Sequence, residues 1–200
     1  MKHMNSIDKL IRSDLSDFKP YSSARHEAFE GKVWLNANES PWENNTNNTD
    51  ACNLNRYPEQ QPEELIAVLA HYYATAKDQI LITRGSDEGI DLLTRLFCKP
   101  YADSILICPP TFGMYEVSGK LQAASIIKVL LVGEDFCLDI ANILESLNGS
   151  LKLIFLCSPN NPTGNSLKID DVLQICEASS GKAIVVVDEA YVEFANSKSL

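Results

Sequence analysis

The sequence predicts an α/β protein whose mainly parallel sheet is covered by helices on both faces. Two apolar runs carry this prediction, residues 151–157 and residues 183–187, and each ends abruptly in polar residues. A continuous apolar run rich in β-branched residues and bounded by turn residues indicates a strand that is buried on both faces. One helix-length stretch separates the two runs, so together they predict a βαβ crossover.

The first part of the chain contains shorter patterns. Residues 5–15 predict a short amphipathic helix, and residues 33–35 predict a short strand. Residues 36–55 are rich in Asn, Thr, Ser and Pro without a period, which predicts a long loop. Pro62 starts a predicted helix over residues 63–74, whose inward side chains would be Leu65, Ile66, Leu69 and Tyr72 or Tyr73.

Strands and helices then alternate regularly. The predicted strands cover residues 79–83, 104–108 and 125–131. The predicted helices cover residues 86–98, 112–121 and 138–147. Such alternation is typical of a mainly parallel sheet with crossover helices.

Composition and charge exclude several classes of partner. The 200 residues are 45% hydrophobic, enough for a substantial core, and 17 Lys and Arg against 27 Asp and Glu give a net charge of −10. Nucleic acids and anionic membranes require basic patches, which this acidic sequence lacks. No apolar run approaches the roughly 20 residues that a spanning helix needs. We therefore expect neither nucleic acid nor a membrane as a partner.

The cysteines bear on the cellular compartment. Six cysteines lie at positions 52, 98, 108, 137, 157 and 176, without a C-x-x-C pair. Four of them follow or lie inside apolar runs, which favours reduced, buried thiols over disulfides or a zinc site. We expect a cytoplasmic protein with no metal site.

Three polar side chains follow the two strands of the crossover. Residues that follow the carboxyl ends of neighbouring strands in an open α/β sheet face the crevice where such sheets bind ligands. Asp188 follows four aliphatic residues, so its buried carboxylate would need a cationic partner such as a protonated heteroaromatic nitrogen. The Asn161 amide can donate to an anionic oxygen, and the Tyr191 hydroxyl could join it. Asn-Pro is also ordinary turn chemistry and a carboxylate also caps helices, so the combination favours a ligand site more than any single residue does.

Two further segments lie where a strand hands over to a helix. In Gly85-Ser86-Asp87-Glu88-Gly89, the backbone amides of Ser86 and Asp87 could bind a phosphate at a helix N-terminus, although this segment is also a good helix start. Phe112 follows Pro-Pro-Thr and could stack on a flat heterocycle, or pack in the core as the first residue of a helix.

Two segments, SPNNPTG from Ser158 and VVDEAY ending at Tyr191, resemble motifs of fold type I pyridoxal-phosphate enzymes. From about residue 21 onward, the chain resembles the histidinol-phosphate aminotransferase family. The further matching segments are NANES at 36–40, NRYPE at 55–59, GSDEG at 85–89 and CPPTFGMY at 108–115.

The resemblance implies pyridoxal 5'-phosphate as cofactor and a role for each candidate residue. Asp188 would keep the pyridine nitrogen protonated, and Asn161 with Tyr191 would contact the phenolate oxygen. The other implied contacts are stacking by Phe112, where many relatives have Tyr, and phosphate binding by Ser86 and Asp87.

The resemblance also implies contributions from the amino-terminal part of the chain. Tyr57 resembles a tyrosine that reaches the cofactor phosphate from the neighbouring subunit, which implies a homodimer. Tyr21 resembles a tyrosine that lies over the substrate. Residues 1–55 would form an arm and loop belonging to the small domain and lid, and residues 56–200 an incomplete large domain that binds the cofactor.

No catalytic residue of the family is expected in this chain. The lysine that forms a Schiff base with the cofactor follows a further strand in the family, beyond Leu200. Lys198 lies only ten residues after Asp188 with no strand between them, so we expect it to be solvent-exposed. The later arginines and the small carboxyl-terminal domain are also missing, so the segment alone is expected to be inactive.

For the full-length protein, the resemblance implies transfer of an amino group between glutamate and imidazole-acetol phosphate, giving histidinol phosphate and 2-oxoglutarate. Another fold type I enzyme, such as an aromatic aminotransferase or an amino-acid phosphate decarboxylase, remains an alternative, because the substrate-reading arginines are not in the segment. A non-catalytic fragment that binds the cofactor, or no ligand, is the alternative of a different class.

Overall fold

A computed structural model describes residues 6–19, 21, 33, 35, 37–42, 55–196 and 199. The chain forms two compact units. One consists of Met1–Asp17 with Thr83–Leu200, and the other of Phe18–Ile82. The division into an arm of residues 1–55 and a cofactor domain concerns a whole enzyme and stays a prediction.

The smaller unit contains one α-helix, α1 (Glu63–Tyr72), among its described residues. It begins after Pro62 as predicted and ends before Ala74, whose φ of 50° is left-handed. The predicted inward face is wrong at Leu65 and at both alternative tyrosines, since Leu65, Tyr72 and Tyr73 are 44%, 66% and 51% exposed.

Two predicted strands of the smaller unit are not observed. Lys77–Gln79 forms a 3-10 turn. The backbone of Ile82 accepts a hydrogen bond from the Gln61 side-chain amide (3.0 Å) and donates one to its oxygen (2.7 Å). A side chain thus supplies the bonds that a neighbouring strand would make, so residues 79–83 need no sheet partner. Val33 and Leu35 are not in a strand either, and Trp34 lies outside the described residues.

The predicted amino-terminal helix is two 3-10 turns, Ser6–Leu10 and Ser13–Leu15. Between them Arg12 has an extended backbone (φ −52°, ψ 128°), which interrupts the helix. The Arg12 amide and guanidinium donate to backbone carbonyls at the end of a helix of the larger unit, Leu96 O (3.2 Å) and Arg95 O (2.9 Å). These contacts to carbonyls at a helix C-terminus replace the bonds of a continuous helix.

The larger unit has a four-stranded sheet in the order β2-β1-β3-β4. Its strands are β1 (Ser104–Ile107), β2 (Ser125–Lys128), β3 (Leu151–Cys157) and β4 (Ile184–Asp188). All three pairings are parallel, which confirms the predicted sheet.

Four helices of the larger unit cover both faces of the sheet, the first before β1 and the other three between successive strands. They are α2 (Gly85–Phe97), α3 (Met114–Leu121), α4 (Ile140–Glu145) and α5 (Ile169–Ser179). On one face, Ile143 of α4 and Ile175 of α5 pack in a cluster with Ile154. On the other, Phe97 of α2 and Tyr115 of α3 pack in a cluster with side chains such as Phe155 and Ile105. The predicted cover of helices on both faces is therefore confirmed.

None of the helices in the described ranges is both long and apolar enough to span a membrane. Five of the cysteines lie in those ranges, and all five are free thiols. Burial raises the pKa of the Cys98 and Cys108 thiols to about 12, so both stay protonated at neutral pH.

The close approach of α3 to the sheet requires a glycine. A Cβ atom at Gly119 would lie 2.5 Å from Ile126 Cδ1 and 2.6 Å from Ile105 Cδ1. Ile105 is fully buried, so its side chain has no free space into which to move.

We expect Gly119→Ala to lower the free energy of unfolding by about 1–2 kcal/mol. Overpacking costs about 1–3 kcal/mol, whereas the better helix propensity of alanine returns at most about 1 kcal/mol. Urea unfolding of the protein measures the difference. Gly149→Ala is the matched control because no atom lies within 4 Å of a Cβ there. Equal stability of the two variants would contradict the expected packing constraint.

Candidate ligand-binding site

Parallel pairing of β3 and β4 brings the two polar segments of the crossover together. Cys157, the last residue of β3, is in register with Asp188, the last residue of β4. The next amide, Ser158 N, donates to Asp188 O at 2.9 Å. The loop after β3 and the acid after β4 therefore start side by side at the carboxyl edge of the sheet.

The Asp188 carboxylate is buried, with 9% of the residue exposed, and receives two hydrogen bonds. Tyr115 Oη donates to Oδ2 at 2.7 Å, and Ala190 N donates to Oδ1 at 3.1 Å. Both donors are neutral, and within the described ranges Asp188 forms no salt bridge. A carboxylate offers about four acceptor positions, so two of them remain for a ligand.

Tyr115 was not among the residues that the sequence indicated. Its side chain is fully buried, and this burial, together with the hydrogen bond to the carboxylate, raises the pKa of its phenol. The hydroxyl therefore stays protonated and remains a donor to Asp188.

The aromatic side chains around Asp188 form a fixed stack. The Tyr115 ring lies parallel to Phe155, with centroids 4.9 Å apart and an interplanar angle of 8°. Phe112 meets the edge of Tyr115 at 5.7 Å and 85°. Phe112 is half-buried and packs against the apolar cluster that contains Tyr115 and Phe155. It contacts Tyr115, which in turn is hydrogen-bonded to Asp188.

Two successive asparagines in the loop after β3 have opposite surroundings. Asn160 is 4% exposed, and its amide binds Pro110 O (2.9 Å), Thr163 Oγ1 (2.6 Å) and the hydroxyl of Thr111 (2.8 Å). The side chain of Asn161 makes no hydrogen bond to another described residue and lines a cleft. Asn160 therefore ties the loops after β1 and β3 together, whereas Asn161 has free donors and acceptors.

The cleft has a volume of about 810 Å³. Asn161 and Tyr191 both line it, and their binding of one ligand stays a prediction. Among the described residues, its other lining positions are Pro159, Asn160, Pro162, Gly164, Ser166, Phe194, Ala195 and Asn196. Asp188 does not line this cleft; its contact is with Tyr115.

Ser86 and Asp87 lie in the first turn of α2, and both are exposed. Cys98, directly after α2, accepts a hydrogen bond from Nε2 of Gln122, which lies just before β2. β1 also starts soon after Cys98, at Ser104. The carboxyl end of α2 therefore lies at the edge where the strands begin. The first turn is at the other end of this helix of 13 residues, toward the edge where the strands end. Amides in a first turn have no intrahelical acceptor and are available to an anion.

The remaining candidates belong to the smaller unit or lie outside the description. Tyr57 and Tyr21 are 61% and 85% exposed, respectively. Glu39 accepts a hydrogen bond from the Tyr57 amide (2.8 Å) and forms an ion pair with Arg56 (2.9 Å), which fixes the backbone at Tyr57. Lys198 lies outside the described residues. No cluster of His, Cys, Asp and Glu able to hold a metal ion occurs in the described part of the chain.

A parallel α/β unit with an acid, an amide and a phenol at the carboxyl edge of its sheet defines a ligand-binding domain of the doubly wound class. Residues 30–199 match the family model of aminotransferase class I and II. The chain belongs to that family.

Curated relatives give the closer similarities. The chain is 47% identical to a histidinol-phosphate aminotransferase of Francisella philomiragia over 98% of this chain and 53% of that protein. It is 50% identical to one of Xanthomonas axonopodis pv. citri over 98% of this chain and 54% of that protein. The chain thus spans about half the length of these relatives.

Solved structures share the fold at lower identity. N-succinyldiaminopimelate aminotransferase from Mycobacterium tuberculosis matches with a TM-score of 0.67 and 23% identity, over 73% of this chain and 41% of that one. Cystalysin from Treponema denticola, which contains pyridoxal 5'-phosphate, matches with a TM-score of 0.61 and 23% identity, over 67% and 36%. Together with the parallel sheet, these matches identify the fold as that of fold type I transferases.

The two asparagines predict different effects on stability. We expect Asn160→Ala to lower the free energy of unfolding by about 2 kcal/mol or more, since each buried partner left unsatisfied costs about 1–3 kcal/mol. Asn161→Ala should change it by less than about 0.5 kcal/mol, because its side chain has no hydrogen bond to lose within the described residues. Unfolding curves of the two variants measure this difference. A loss of stability at Asn161 equal to that at Asn160 would contradict the assigned roles.

Proposed function

We propose that the whole protein is a pyridoxal-phosphate-dependent histidinol-phosphate aminotransferase. It exchanges an amino group between glutamate as donor and imidazole-acetol phosphate as keto acceptor, giving histidinol phosphate and 2-oxoglutarate. The observation that carries this proposal is the identity of 47–50% to histidinol-phosphate aminotransferases over 98% of the chain. The buried acid, the free amide and the helix N-terminus support it independently, because each matches one polar group of the cofactor.

The surroundings of Asp188 fit the nitrogen of the cofactor ring. A buried carboxylate that is bound only by neutral donors keeps its negative charge without compensation, which is costly at low dielectric constant. A protonated pyridine nitrogen would supply the missing positive charge. When bound, pyridoxal phosphate provides an electron sink for the negative charge that develops on the amino-acid substrate. Asp188 would hold the proton on the ring nitrogen and so maintain that sink.

The other residues would orient the ring. Asn161 and Tyr191, which line one cleft, would bind the phenolate oxygen. Phe112 would stack on the ring face, and its contact with Tyr115 fixes one side of that stack. The backbone amides of Ser86 and Asp87 in the first turn of α2 would bind the phosphate. The hydroxyl of Ser86 and the carboxylate of Asp87 are not needed for this contact.

The lysine that binds the cofactor covalently would come from the rest of the protein. Tyr57 would reach the phosphate of a second subunit, which makes the active enzyme a homodimer, and Tyr21 would lie over the substrate. The hydrogen bond from the Tyr57 amide to the Glu39 carboxylate supports a fixed position for Tyr57. We place the enzyme in the cytoplasm because the cysteines in the described ranges are free thiols.

Turnover by the complete protein tests this function. Purified protein, supplied with pyridoxal phosphate and 2-oxoglutarate, should consume histidinol phosphate with a kcat/KM at least about tenfold above that for phenylalanine. The difference is expected because a site built for a phosphate and an imidazole leaves charged groups unpaired with phenylalanine. A preference for phenylalanine would favour an aromatic aminotransferase. Release of carbon dioxide from an amino-acid phosphate would favour a decarboxylase.

The role of Asp188 gives a second expected outcome. Asp188→Ala in the complete protein should lower kcat at least about 100-fold, since loss of one partner of a buried ion pair costs about 3–5 kcal/mol. Transamination assays under saturating cofactor measure the change. Asp170→Ala, on the exposed first turn of α5, is the matched control and should keep full activity. Substantial activity in the Asp188 variant would rule out its action on the ring nitrogen.

A further inference from the structure

We propose that Tyr115 is a positioning residue of the reaction, which acts on the cofactor ring nitrogen through its hydrogen bond to Asp188. The inference rests on the proposed function and extends it to a side chain buried behind the acid. Tyr115 makes no contact with the reacting atoms in this role. It holds the carboxylate that does.

The first step is the geometry of the carboxylate. Tyr115 Oη donates to Oδ2 at 2.7 Å, while Ala190 N donates to Oδ1 at 3.1 Å. One donor on each oxygen fixes both the position and the plane of the carboxylate. The two acceptor positions that remain are then directed by these bonds and not by the free rotation of the side chain.

The second step is the rigidity of the donor. The Tyr115 ring is fully buried, stacks on Phe155 at 4.9 Å and meets Phe112 at 5.7 Å. A phenylalanine would fill the same space, so packing alone gives no reason for a hydroxyl in this position. The buried hydroxyl donates its hydrogen bond to Asp188, and a phenylalanine could not make that bond.

The third step is charge. An arginine or lysine donor would neutralise Asp188 and compete with a cationic ligand, whereas a phenol stabilises the anion and leaves its charge in place. Burial raises the pKa of Tyr115, so the phenol keeps its proton at neutral pH. A phenol that donates to the carboxylate would favour a proton on the ring nitrogen of a bound cofactor, because a donated hydrogen bond stabilises the anionic acceptor.

The test compares two cofactors in the complete enzyme. Tyr115→Phe removes only the hydroxyl, and a 1-deaza analogue of pyridoxal phosphate replaces only the ring nitrogen with a C–H group. We expect the variant to bind pyridoxal phosphate about tenfold more weakly, as for loss of one hydrogen bond to a charged group, and to bind the analogue as the wild type does. The readout is the ratio of the two dissociation constants. Any unfolded fraction affects both constants equally, so the ratio is independent of it.

Two outcomes would overturn the inference. An equal loss of affinity for both cofactors would make Tyr115 a purely structural residue, and an unchanged affinity for both would make its hydroxyl irrelevant. Tyr101→Phe is the matched control, because Tyr101 is 93% exposed and its hydroxyl has no hydrogen bond within the described residues. If the wild type transaminates histidinol phosphate and prefers pyridoxal phosphate to the analogue, the proposed function holds whatever the variant does. Failure of both in the wild type would instead refute the proposed function.

Discussion

The parallel pairing of β3 with β4 is the constraint on which the site depends. β3 is buried over nearly its whole length and pairs with β1 on one side and β4 on the other. Its register sets Cys157 opposite Asp188, so the acid faces the same side of the sheet as Phe155 and reaches Tyr115. A shift of one residue would turn Asp188 to the other face, where α4 and α5 pack. The core cluster described on that face contains no tyrosine that could donate to the carboxylate. Core packing and the geometry of the acid are therefore fixed by the same set of backbone bonds.

The sequence predicted the strongly periodic part of the fold. Both strands of the crossover and the helices that follow Gly85 lie within a few residues of their predicted positions, because continuous burial on both faces leaves a pattern in the sequence itself. The predictions failed for residues 5–15 and 79–83. In both cases side chains, Arg12 and Gln61, make hydrogen bonds to backbone groups that secondary structure would otherwise satisfy. Such bonds depend on tertiary position and leave no periodic pattern.

The location of part of the candidate site was predictable for the same physical reason. Asn161, Tyr191 and Asp188 follow strands directly, so the topology of a parallel sheet was enough to bring them to one edge. Tyr115 and Asn160 were not identified, because their partners lie 73 and about 50 residues away in the chain. A tyrosine within an amphipathic helix reads as a core residue. One signal was available in Tyr115, since a hydroxyl in a fully buried position must find a hydrogen-bond partner.

Hydrogen-bond satisfaction divides the residues of the candidate site into two groups. Asn160 and Tyr115 are both buried, and their polar groups form hydrogen bonds with neighbouring residues of the fold. Asn161 makes no side-chain bond among the described residues, and Asp188 keeps acceptor positions free although it is buried. A buried charge is unfavourable without an opposite charge, so Asp188 lowers stability unless a ligand supplies one, whereas water can solvate the Asn161 amide in the cleft until a ligand binds. A preorganised site requires this combination. Residues whose hydrogen bonds are satisfied within the fold hold the geometry, and a ligand supplies the bonds that the other residues lack.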